Sequence, residues 1–144
     1  MAPFLYDEFR LQLADAATHS KIDLESDALS VFFVDEADDT ISQTADVDAA
    51  DRAAAAQVPA FASAPSLVNN SWAVSSSVGV FDADDTVFTS LSGDQVESYD
   101  IFKDSGTDTT SPMISNHDDA TGLPLTPSGG NVTIVWAATG IIRI

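Results

Sequence analysis

Cysteine is absent from the 144-residue chain, which excludes a disulfide framework, thiolate zinc sites, iron–sulfur clusters and a cysteine nucleophile together. Basic residues are almost as scarce. Five Lys and Arg stand against 23 Asp and Glu, for a formal net charge of −18 and a sequence pI near 4.1. Such a field repels phosphate backbones and anionic lipid headgroups, so neither nucleic acid nor a membrane is expected as a partner. Long apolar runs are missing too: no stretch approaches the roughly 18 apolar residues of a membrane span. The opening Met1 to Glu8 has neither the basic start nor the apolar run of a secretory signal, and accumulation in the cytoplasm is the expectation.

What remains is enough for one domain, since the length and a hydrophobic content of 44% supply a single sizeable core. The acidity is of one kind: 19 of the 23 acidic residues are Asp and 4 are Glu, and Asp favours turns and caps over helix interiors. It is also evenly spread, with −10 on residues 1–60 and −8 on residues 61–144, so there is no detachable acidic tail. Self-repulsion of this size costs folding stability unless salt, bound cations or a basic partner surface offset it.

Along the chain, residues 3–16 read as a short amphipathic helix within an N-terminal segment over 1–20, with Leu5, Phe9 and Leu13 at i, i+4 and i+8. Ala28 to Val34 is a compact apolar run bounded by Asp, the pattern of a buried strand. Residues 35–70 are an irregular excursion or arm: an acidic loop, an Ala-rich stretch with helix propensity over 49–57, and a Pro/Ser/Asn segment. From residue 71 onward the runs 71–74, 78–81, 86–89, 96–102, 112–115, 131–136 and 140–144 are strand-like, separated by Asp, Gly and Ser. The alternation over 96–103 mixes polar and apolar residues on both faces, as for an antiparallel strand wetted on one side. Ile141, Ile142 and Ile144 are expected to be buried, in a last strand of this chain's own sheet or one donated to a neighbour. The fold class is therefore mainly β: an antiparallel sandwich or barrel of about seven strands with a short N-terminal helix, forming one domain over 1–144.

The search for chemistry yields little. His19 and His117 lie in different polar regions, and the run Asn116 to Asp119 is a solvated turn before it is a metal site, because neighbours on a strand point to opposite faces. Asp82, Asp84 and Asp85 open like a calcium loop, but Val87 and Gly93 occupy the positions where that loop needs Gly and Glu. A hairpin turn accounts for the same residues. Asp35 to Asp39 reads as another solvated loop. No nucleophile elbow or phosphate-cradling Gly-rich loop is present, and neither enzyme activity nor a cofactor or metal is expected. Trp72 and Trp136 sit in strand-like runs and are expected in the core, with a sugar platform as the functional alternative.

Several segments in order resemble a family of small virion structural proteins of tailed bacteriophages. They are Tyr6 to Arg10, Ile22 to Val31, Val80 to Phe88, Lys103 to Thr107 with Ser111 to Ile114, and Gly122 to Trp136 running on to Ile142. The chain departs from that family in an Ala- and Asp-rich stretch over 37–70, where a Gly-rich middle is usual. The resemblance implies a capsid decoration (cement) protein on the exterior of the icosahedral head. Its partners would be the major capsid protein and two further copies of itself, a homotrimer at local three-fold positions, assembled from the host cytoplasm. A tail or head–tail connector component and a host-adhesion β-module are the alternatives. Contacts with neighbouring copies or the shell are expected from the 35–70 excursion and the N-terminal segment, with Pro59, Phe61, Pro65 and Leu67 as apolar anchors, and deleting 44–66 should abolish shell binding while leaving the sheet intact.

Overall fold

The structure, a computed structural model, describes residues 2–14 and 22–144; His19 and the end of the expected N-terminal helix lie outside them. In chain order the elements are β1 Phe4–Leu5, α1 Asp7–Ala14, β2 Leu29–Val34, β3 Gln57–Val58, β4 Ser71–Ser75, β5 Val78–Asp82, β6 Thr86–Phe88, β7 Ser98–Lys103, β8 Met113–His117, β9 Val132–Ile134 and β10 Ile142–Arg143. They form three antiparallel sheets, ordered β1-β8-β7-β2-β3, β10-β5-β4 and β6-β9, and no barrel closes. The fold is mainly β and sandwich-like, with about ten strands where seven were expected. Each strand-like run of the sequence appears. The additions, β1 and β3, are two-residue strands too short to leave an alternating pattern.

The central sheet is covered on both faces, which is why all six residues of β2 are buried. Leu29, Val31 and Phe33 share one face with Tyr99, Ile101 and Ile114, against Phe81, Phe88, Ile134, Trp136 and Ile142 from the smaller sheets and their flanks. Phe33 meets Phe88 at 4.6 Å between ring centroids, a contact worth about 0.5–1.5 kcal/mol beyond its buried area. Phe32, Val34, Phe102 and Met113 occupy the opposite face, and their cover is the 35–70 segment through Ile41, Ala49 and Ala56. That segment is an irregular layer of the domain packed on the sheet. Deleting 44–66 would strip one face of the central sheet, so the expectation of an intact sheet is corrected.

Four local expectations are also corrected. The helix starts at Asp7 because Phe4–Leu5 pair with β8 and the Tyr6 amide donates to the Ile114 carbonyl. Its buried residues are Phe9 and Gln12, while Leu13 is half exposed. The Ala-rich stretch forms two 3-10 turns, Ala49–Asp51 and Ala54–Ala56. Asp48 and Asp51 cap the first reciprocally, and the chain then turns so that the Arg52 side chain points into the domain. Strand β7 is dry: Ser98 and Asp100 are fully buried and face the covering segment. At the C-terminus, β10 pairs with β5 of the same chain and buries Ile142, but Ile141 is half-buried and Ile144 exposed.

Candidate functional site

Three groupings of polar side chains among the described residues bear on function: a buried ion network, an open cavity and an acidic loop pair. The network lies between the central sheet and the 35–70 layer. Arg52, fully buried, donates from Nε to Asp100 Oδ2 at 3.0 Å, from Nη1 to Asp39 at 3.2 Å, and from Nη2 to Asp46 at 2.9 Å and the Tyr6 hydroxyl at 3.0 Å. Tyr6 in turn donates to Asp100 Oδ1 at 2.7 Å, and Asn116 Nδ2 donates to the same oxygen at 2.9 Å. Burial pushes the Asp100 carboxyl above the usual carboxylate range against the pull of Arg52. Desolvation of Arg52 acts downward but is outweighed by Asp100, Tyr6 and Asp46, so its guanidinium is held firmly charged. Burial first, and Asp100 next, drive the Tyr6 phenol upward. The Asp39 carboxyl sits below the usual range: desolvation opposes this, but the amides of Ala53 and Thr40 and the Arg52 charge prevail. With every nitrogen of Arg52 committed to the chain, the network acts as a clamp, tying the covering layer to β7, β8 and Tyr6 just after β1.

The cavity, of about 770 Å³, is bounded by Phe33, Tyr99 and His117 on the sheet side and by residues 119–123, Leu125 and residues 132–137 on the other. Tyr99 and His117 stack at 5.0 Å with rings 10° apart, and Trp136 meets Tyr99 edge-on at 5.7 Å. Burial lowers the His117 imidazole pKa from its ordinary 6.5 against the pull of Asp119 and Asp118. His117 Nε2 is 3.0 Å from Ser115 Oγ, a serine–histidine pair by distance. Ser115 is 1% exposed and is absent from the cavity wall, so a substrate in the cavity has no path to its hydroxyl. Trp136 is buried as expected, and its indole N–H donates to Thr86 Oγ1. Trp72 is half-buried with its ring over Gly79. Trp136 is thus almost wholly enclosed at the cavity wall, and Trp72 packs on the β5 backbone.

Of the acidic loops, Asp35 and Asp38 come together with Asp94 from the β6–β7 connection, one carboxylate oxygen from each within 4.8 Å of the others. Asp35 and Asp38 share one loop of the sequence; only the fold makes Asp94 their neighbour. Asp82, Asp84 and Asp85 serve structural bonds: Asp82 with the Ala83 amide, Asp84 with Asn69, Asp85 with the Trp136 amide. Asn116 and His117 point to opposite faces of β8, the first into the network and the second to the cavity.

The expected contact residues do not act as a set. Leu67 is core, its amide donating to the Leu29 carbonyl, which removes it as a surface anchor. Phe61 is half-buried with its ring 5.2 Å from Phe102. Pro59 and Pro65 line a second cavity of about 310 Å³ with Val87 to Ser92. Sequence reasoning missed Arg52 altogether, although a lone Arg in an Ala-rich stretch of a chain this acidic was a usable signal. Compared with known proteins, the chain matches no protein-family model and no curated protein sequence. Among the described residues no helix is long and apolar enough to cross a membrane.

Proposed function

We propose that this chain is a virion structural protein of a tailed bacteriophage, a decoration protein that docks as a homotrimer on the major capsid protein at the outer surface of the icosahedral head. The observation that carries the reading is where the charge goes. Arg52, one of only five Lys and Arg, is enclosed with Asp39, Asp46 and Asp100, and of the others Arg10 and Lys103 are paired with Asp7 and Asp27. The exterior is thereby left anionic. An anionic exterior favours a basic patch on a protein shell and is repelled by packaged DNA. The ordered resemblance supports the same reading, as does a domain whose buried polar groups clamp its layers together.

A symmetry-resolved map of purified particles tests this directly. Density for the chain on the head exterior at three-fold positions is the expected result, with particles lacking it losing DNA at lower temperature. Finding the chain only in the tail or connector would overturn the proposal.

A further inference from the structure

No charged residue occurs between Arg52 and Asp82, and none between Asp119 and Arg143. In a chain of net charge −18 these are two long neutral stretches, and the fold gives them different shapes. The first ends in the β4–β5 hairpin, turned by Ser76 and Ser77. Ser71 and residues 73–77 are exposed, Val74 to 74%. β4 is the outer strand of its sheet, and it carries none of the charges or prolines that normally blunt an edge. The second stretch forms the concave wall of the larger cavity. Residues 132–137 line it consecutively, so the segment presents its edge, since a face would contribute alternate residues only. β9 pairs with β6 and with no other strand among the described residues.

We infer that copies of this chain associate head to tail, the β4 edge of one copy pairing along β9 of the next with Val74 seated at the cavity mouth. Charge argues for a second copy as the occupant: two molecules this acidic repel wherever carboxylates face each other, and these two surfaces let them meet without such contacts. The cavity rim offers Asp119 and Arg143, which cancel, while His117 Nε2 and the Trp136 indole N–H already bond within the chain. An open strand edge is what a second strand requires. Because the two surfaces differ, the contact is heterologous and closes into a ring when the rotation permits. This deepens the oligomeric part of the proposed function, but it is independent of where in the virion the chain resides.

Val74 and Val135, 74% and 72% exposed, allow a test that spares the core. Light scattering after size exclusion and sedimentation equilibrium on the full chain should show a concentration-dependent oligomer. Val74→Asp and Val135→Asp should each weaken it by at least about tenfold, with circular dichroism and melting unchanged. An equimolar mixture of the two variants retains one intact hairpin and one intact cavity, so it should form heterodimers and stop there. A monomeric wild type overturns the inference, as does undiminished association of either variant. A trimer that survives both substitutions overturns this contact and leaves the trimeric reading standing, whereas a tail location overturns the virion assignment without touching the contact.

Discussion

Replacing Arg52 by Met removes the clamp and exposes what it holds. Asp100 is then a fully buried carboxylate whose remaining partners are the Tyr6 hydroxyl and the Asn116 amide, with Asp46 nearby adding like charge. Breaking a buried ion pair from one side costs about 3–5 kcal/mol, a large part of the roughly 5–15 kcal/mol that holds a domain of this size together. Urea unfolding followed by tryptophan fluorescence gives the loss by linear extrapolation. The companion variant Asp100→Asn keeps an acceptor for Tyr6 and Asn116 while deleting the charge. The double variant should therefore lose less than the sum of the singles, by about 1–3 kcal/mol. The pH dependence has a definite sign. In Arg52→Met, burial raises the folded-state pKa of Asp100 with no cation opposing it, so the variant should recover stability as pH falls from neutral through that value, where the carboxyl becomes neutral. A loss under about 1 kcal/mol, or strict additivity of the two substitutions, would refute the clamp.

Three further outcomes follow from other parts of the fold. Ser76 and Ser77 hold φ of 53° and 65° in the two-residue turn between β4 and β5, a geometry suited to Asn-Gly. Ser76→Asn with Ser77→Gly should stabilise the domain by about 1 kcal/mol, read as a higher urea midpoint. Because burial lowers the folded-state pKa of His117 below its ordinary 6.5, stability should decline as pH falls through 6.5 toward that lower value. His117→Gln should remove this component of a melting profile taken between neutral and mildly acidic pH. With a net charge of −18, raising salt from about 0.01 to 1 M shortens the screening length from about 30 to 3 Å and should raise the melting temperature; a flat response would refute self-repulsion as a destabilising force.

Strand identity was legible where residues were long-range neighbours with a local signature. Ala28 to Val34, rich in β-branched and aromatic residues, announces a buried strand, and the Asp- and Ser-rich turns mark the breaks after residue 71. The role of 35–70 was not legible, because what orders it is one guanidinium reaching Asp100, 48 positions away; Ala-rich sequence alone favours a helix that the turn at Arg52 interrupts. The β7 pattern hides burial for the same reason: Ser98 and Asp100 look like a wetted face until the fold supplies donors, Asn116 of β8 for both and Tyr6 and Arg52 for Asp100. Leu67 and Phe61 resembled surface anchors in a stretch without periodicity, yet one is core and the other lies against Phe102.

The sequence by itself determined the charge, the absence of thiol chemistry and the mainly β character, since composition and local alternation act without long-range information. The tertiary structure decided which acidic residues are internal, which edges remain unpaired, and how the two neutral stretches become a protruding hairpin and a concave wall. Those properties depend on burial and on contacts between residues far apart in the chain, and only folding brings such residues within reach of one another.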